Sequence, residues 1–173
     1  MATTTQVPLE VYLRSDYQPD AEYLDGEILE RPAGEDDHSA WQSAICNWFS
    51  LYADEWDIRV RPALRVQVKP ESFLVPDVTI LDAANPKEKI ATKPPLAVFE
   101  VLSPENKIRE IMRKLDLYEK MGIPQIWLID PPAENALPIW QRYENGHLAD
   151  HDMFSLPERN MEFSMTEIDR LVR

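Results

Sequence analysis

The chain reads as an α/β domain, a mixed sheet sandwiched between helices, and three observations predict it. The apolar run Leu96-Ala97-Val98-Phe99-Glu100-Val101-Leu102 has the nearly unbroken hydrophobicity of a central strand buried on both faces. Residues 39–53 carry Trp41, Ala44, Ile45, Trp48, Phe49 and Tyr52 at i, i+3 and i+4 spacing, the stripe of an amphipathic helix. The order helix, three strands, helix, strand is one that layers helices on a sheet.

Taken in order, residues 8–14 read as a short helix, and residues 22–29 as a hairpin turning at Asp25-Gly26. An acidic loop ends at His38, and Asp36 or Asp37 is placed to cap the helix that follows. Between Ile58 and Val68, the apolar Ile58, Val60, Leu64, Val66 and Val68 alternate with Arg59, Arg61, Arg65 and Gln67, as in a half-buried strand that Pro62 bends or marks as an edge. Residues 76–81 form the next strand, a loop rich in lysine and proline follows, and then comes the strand of Glu100. After Ser103-Pro104-Glu105-Asn106 a helix runs to about Met121, burying Ile108, Ile111, Met112, Leu115 and Tyr118, and Gly122 stops it. Residues 125–130 form another buried strand, and residues 138–143 with the return after Glu144-Asn145-Gly146 form a second hairpin. Residues 150–173 read as mostly irregular cover on a core of about 8–143.

At 173 residues and 20.1 kDa, with five tryptophans, the chain has the size and apolar content of one domain. The lone Cys46 excludes an internal disulfide framework and, with no charged-then-apolar leader or membrane-length apolar run, predicts a cytoplasmic protein off the membrane. Fifteen prolines against four glycines indicate stiff loops. A net charge of −13 weighs against nucleic acid as a partner, since phosphate binding relies on lysine and arginine. An acidic whole still accommodates a local basic strip, for which Arg59, Arg61, Arg65 and Lys69, or Lys107, Arg109, Arg113 and Lys114, are the candidates.

Glu100 is the residue that demands an explanation. A carboxylate in a buried strand costs several kcal/mol unless it is paired or coordinates a cation. It must therefore meet a lysine, an arginine or a metal. Asp77 stands upstream in Val75-Pro76-Asp77-Val78, and a helix downstream presents Glu110 and Lys114 one turn apart. Two strand carboxylates with a lysine point to metal-assisted hydrolysis. Magnesium takes hard oxygens, usually one or two carboxylates with several waters, and Asp77, Glu100 and the carbonyl of Val101 can supply them, with manganese as a substitute. Lys114 would then orient or deprotonate water.

Each residue also has a plainer role. A Pro-Asp pair commonly serves as a turn or cap, Glu110 and Lys114 as a helix-supporting pair, His38 as a helix-entry residue, and Glu22 and Glu27 as hairpin charges of which one can turn inward. Cys46 has no neighbours spaced for zinc.

The motifs Glu22-Tyr23-Leu24-Asp25-Gly26-Glu27, His38, Pro76-Asp77-Val78, Phe99-Glu100-Val101-Leu102-Ser103-Pro104, Lys114-Leu115-Asp116-Leu117-Tyr118, Gly122-Ile123-Pro124 and Trp127-Leu128-Ile129-Asp130-Pro131 together resemble the Uma-two, or putative restriction endonuclease, family over residues 8–143. The resemblance implies the PD-(D/E)XK nuclease fold, a restriction-endonuclease-like mixed sheet flanked by helices, with added hairpins at both ends. It implies a magnesium site at Asp77 and Glu100. The Glu-x-Lys lysine position is Leu102 here, and its role passes to Lys114 on the following helix. Ser103-Pro104-Glu105-Asn106 stands where the family has Ser-Pro-Ser-Thr, and Glu110 replaces a helix aspartate.

The expected function is a magnesium-dependent endonuclease acting on DNA, with Asp77, Glu100 and Lys114 central and Glu27, His38 and Glu110 accessory. A symmetric dimer would cut both strands most simply, and a protein partner could deliver the domain to DNA. Two alternatives stand beside it. One is a catalytically idle domain of the same fold that binds a protein or dimerises, in which Asp77→Ala would leave partner binding intact. In the other, Glu100 is half of a structural ion pair with Lys114.

Overall fold

The computed structural model describes residues 6–17, 20–32 and 34–172. Its elements run α1 (Leu9–Arg14), β1 (Ala21–Leu24), β2 (Glu27–Glu30), α2 (Asp36–Leu51), β3 (Ile58–Pro62), β4 (Val66–Lys69), β5 (Ser72–Leu74), β6 (Val78–Asp82), β7 (Ala97–Val101), α3 (Ile108–Met121), β8 (Gln125–Asp130), β9 (Ile139–Glu144), β10 (His147–Asp150), β11 (Met153–Leu156), β12 (Met161–Ser164) and α4 (Thr166–Asp169).

A six-stranded sheet in the order β10-β9-β8-β7-β6-β3 forms the centre. It is mixed, as predicted, because β7 and β8 run parallel while the other pairs are antiparallel. The parallel pair needs a long crossover, and α3 provides it. Strand alternation sends Ala97, Phe99 and Val101 to one face, where they pack with Trp41, Ile45, Trp48 and Phe49 of α2. Val98, Ile126 and Leu128 face the other side and pack with Ile111, Leu115 and Tyr118 of α3. Glu100 lies on this second face, one residue from Phe99, so its carboxylate projects toward α3.

A second sheet, β2-β1-β5-β4, lies beside the α3 layer, and its Val66 and Leu74 join that cluster. The β1–β2 turn falls at Asp25 and Gly26, both at positive φ, 52° and 87°, as the Asp-Gly pair predicted.

Several expectations need correction. The alternating run 58–68 is two strands in different sheets, because after Pro62 the chain turns at Ala63, at φ 47°, and leaves the central sheet. The strand of Ile80 begins at Val78 rather than residue 76, and β5 was not foreseen at all. Asp36 and Asp37 do not cap α2; they occupy its first turn, where their charge suits the helix dipole. Ile108 is 65% exposed, since it opens α3 before the helix meets the sheet. The segment beyond Asp150 is not irregular cover. It forms the β11–β12 hairpin and α4, and Phe154, Met161 and Ile168 are fully buried against α2 and the sheet. Phe154 stacks on Phe163 at 4.9 Å and meets Phe49 at 5.5 Å between ring centroids.

Candidate active site

Asp77 immediately precedes β6, and β6 lies beside β7, which carries Glu100 and Val101. Both carboxylates, Val101 and Lys114 line one cleft of about 200 Å³, with Glu22, Arg31 and His38. The structure therefore brings together Asp77, Glu100, Val101, Lys114 and His38, and puts Glu110 at the rim.

Glu100 is buried and its Oε1 accepts hydrogen bonds from Tyr118 Oη at 2.6 Å and from Lys114 Nζ at 2.9 Å. Lys114 sits on the buried face of α3, and its Nζ also lies 2.8 Å from Glu22 Oε1. Glu22 Oε1 in turn accepts the backbone N–H of Val75 at 2.9 Å. Burial pushes the Glu100 carboxyl up to about 7; Lys114 works against that rise, and the negative charges of Asp77 and Glu22 add to it. For Lys114, burial would favour loss of the proton, but Glu100 and Glu22 overcome it and raise the ammonium pKa above its usual value. Tyr118 is likewise raised by burial and by the carboxylates it faces, so it stays a donor.

Asp77 is held differently. Its Oδ1 meets Arg31 Nη2 at 2.6 Å, and its Oδ2 accepts the backbone N–H of Val101 at 2.7 Å and faces His38 Nε2 at 3.2 Å. Gln42, one turn beyond His38 on α2, donates to the Asp77 carbonyl at 2.8 Å. Burial would raise the Asp77 carboxyl, but the His38 hydrogen bond and the Arg31 charge win and hold it below the ordinary carboxylate range. The same hydrogen bond raises His38. Three buried carboxylates thus face two fixed cations, with His38 able to supply a third positive charge.

Two placements differ from expectation. Glu27 does not line the cleft; it sits on β2, the edge strand of its sheet, paired with Leu24. Glu22, on the inner strand β1, is the hairpin acid that turns inward. Glu110 has a side chain 55% exposed and lies 3.6 Å from Lys107. Arg31, Tyr118 and Gln42 were not anticipated. Tyr118 follows Lys114 by one helical turn, a spacing that signals a shared face, whereas Arg31 lies in a loop without periodicity.

A family model described as "Uma2: Putative restriction endonuclease" matches residues 9–165. A crystal structure from Anabaena variabilis ATCC 29413, described as a putative nuclease belonging to DUF820, aligns with 96% of this chain and 99% of its own, at 21% identity and a TM-score of 0.79. That likeness shows the fold, a restriction-endonuclease-like mixed sheet flanked by helices. A DrdV–DNA complex seen by cryo-electron microscopy aligns with 75% of this chain and 10% of its own, at 13% identity and a TM-score of 0.42, too slight a likeness to bear on fold or function. No curated protein matches.

Proposed function

The chain belongs to the Uma2 family of putative restriction endonucleases, and from that premise we propose that it is a magnesium-dependent endonuclease that hydrolyses phosphodiester bonds of DNA. The observation that carries the reading is the convergence of Asp77, Glu100 and Lys114 from two neighbouring strands and a helix on one cleft.

The donor set fits magnesium. Asp77 and Glu100 offer hard oxygens, and Val101 could add its carbonyl. Among the described residues no three acidic, histidine or cysteine side chains are grouped to hold a metal; magnesium usually takes one or two carboxylates and keeps several waters. When bound, magnesium supplies charge neutralisation at the phosphate and acidifies water.

The chain's own residues do the rest. Lys114, kept protonated by Glu100 and Glu22, serves as an electrostatic partner for the phosphate rather than as a base. His38 and the Val101 N–H fix the orientation of Asp77. Tyr118 fixes Glu100. Glu110 is an accessory residue at the mouth, and Glu22 takes the place expected of Glu27. Among the described residues no helix is long and apolar enough to cross a membrane.

A second reading, a catalytically idle module of this fold, is favoured by one observation: the chain's own cations already pair with the carboxylates, Arg31 with Asp77 and Lys114 with Glu100. Incubation of supercoiled plasmid with magnesium separates the two. The nuclease reading expects nicking by the wild type and none by a folded Asp77→Asn variant. Absence of nicking by the wild type would favour the idle module.

A further inference from the structure

Nine of the described lysines and arginines, Lys120 and Arg170 among them, each lie within 4.0 Å of a carboxylate. Eight other described cations have no such partner, and of these Arg61, Lys87 and Lys93, all exposed, gather in one place. Together with Arg59 they line one cleft between β3 and the loop joining β6 to β7. A single acid, Glu88, shares the cleft, and its Oε2 accepts the Thr92 hydroxyl at 2.8 Å. Leu64, Leu81 and Ala91 form the apolar floor.

The cleft is built rather than incidental. Arg59 Nη2 donates to the carbonyls of Asn85 at 2.7 Å and Pro86 at 3.3 Å, tying the loop to the strand, while its Nε is buried without a partner. The far wall is pinned by Ala91, whose N–H donates to Arg65 and whose carbonyl accepts from Gln67, both at 2.9 Å.

Register relates this cleft to the carboxylates. Arg61 pairs with Thr79 and Arg59 with Leu81, and Asp77, Thr79 and Leu81 share one face of the sheet by alternation. Paired residues share a face, so both arginines stand on the face that carries Asp77 and Glu100. At about 3.4 Å per residue they lie roughly 7 and 14 Å along the strand from Asp77. Their strand, β3, is the edge of the central sheet, so nothing of that sheet lies beyond them.

We propose that the β3 cleft, with Arg61 and Lys93 as its free cations, is the track that holds the DNA sugar–phosphate backbone on one side of the cleavage point. The proposal rests on the nuclease reading and specifies where an acidic protein finds its phosphate contacts. With a spacing of about 3.4 Å per nucleotide along each strand, the arginines fall within about four nucleotides of the carboxylates.

The test is fluorescence anisotropy of a labelled duplex DNA with the full-length Asp77→Asn chain in magnesium, across a salt series. Adding Arg61→Ser and Lys93→Ser removes two cations from the track, while Lys120→Ser with Arg170→Ser removes two exposed cations elsewhere and serves as the equal-charge control. If each track residue meets one phosphate, the salt slope falls by about 1.8 and binding at 0.1 M salt weakens about 60-fold, against less than about 3-fold for the control. Equal losses in the two pairs, no loss in either, or no DNA binding by the parent would overturn the track. Plasmid nicking by the wild type, scored separately, reports on the nuclease reading: nicking with unchanged track binding removes only the track, and track-dependent binding without nicking removes only the catalysis.

Discussion

Replacing Lys114 by methionine tests the electrostatic core of the cleft. The Lys114 side chain is 10% exposed, and its Nζ lies 2.8 Å from Glu22 and 2.9 Å from Glu100, both themselves 5% exposed. Methionine keeps much of the volume and removes the charge. Glu22 then retains only the Val75 N–H and Glu100 only the Tyr118 hydroxyl. Breaking a buried pair by removing one partner costs about 3–5 kcal/mol, because the other charge stays buried. For a chain of this length each kcal/mol moves the melting temperature by about 2–4 °C, so the variant should melt roughly 6–20 °C lower in EDTA. Two further outcomes bear on the same ion network. Glu22→Gln in the Lys114→Met background should recover part of the loss, because it removes one of the stranded charges while keeping an oxygen for the Val75 N–H. Magnesium at about a hundred times its Kd should return about 2.7 kcal/mol if it binds the freed carboxylates. Differential scanning calorimetry of the single and double variants decides. A Lys114→Met chain that melts within about 1 °C of the wild type would refute the placement of a buried ion network here.

Three further outcomes follow from individual residues. Burial holds the folded Glu100 carboxyl near about 7 against an ordinary value of 4.5, so the folded chain binds a proton that the unfolded chain has released; this contribution is present below about pH 4.5 and is lost as pH rises through about 7. The wild type should therefore lose up to about 3 kcal/mol relative to Glu100→Gln across that window in EDTA, measured by denaturant titration at each pH. Phe154→Ala, in the carboxy-terminal hairpin, should cost about 3–5 kcal/mol, because the ring is fully buried among Phe49, Phe99, Trp127 and Phe163; a loss below about 1 kcal/mol would mean the hairpin is only cover. Burial pushes the Cys46 thiol from 9.0 to about 11, which lowers its thiolate fraction about a hundredfold, so iodoacetamide at pH 8 should label it about a hundredfold more slowly in the folded chain than in urea.

Much of this architecture is legible from local pattern, and the exceptions share a cause. Glu100 stands out because a charge in an apolar strand is costly, and Lys114 because its helix follows with the right face. The central strands around Phe99 and Trp127 announce themselves by their apolar runs. What could not be read is what depends on pairing between distant segments. Glu22 and Glu27 look alike in the sequence, and the register even puts them on one face of the hairpin, yet Glu22 on the inner strand β1 reaches Lys114 while Glu27 on the edge strand β2 lies outside the cleft. The residues 58–68 alternate throughout, and only the turn at Ala63 divides them between two sheets. Phe154 and Leu156, then Met161 and Phe163, do show a two-residue period, but strands of four residues around Pro157 give too short a signal to set against loop composition. Arg31 had no local signal, because a loop cation acquires meaning only when the fold sets it against Asp77.

The proposed function makes Asp77 and Glu100 a divalent-cation site for DNA hydrolysis. Its most direct test titrates magnesium and manganese into the wild type and Asp77→Asn while following thermal unfolding and the nicking of supercoiled plasmid in the same samples. The account predicts that the wild type gains stability and nicks over the same metal range, and that the variant, though folded, does neither. A wild type whose melting temperature ignores both metals and whose plasmid stays supercoiled would contradict it, leaving the Glu100–Lys114 pair as a structural feature of a binding module.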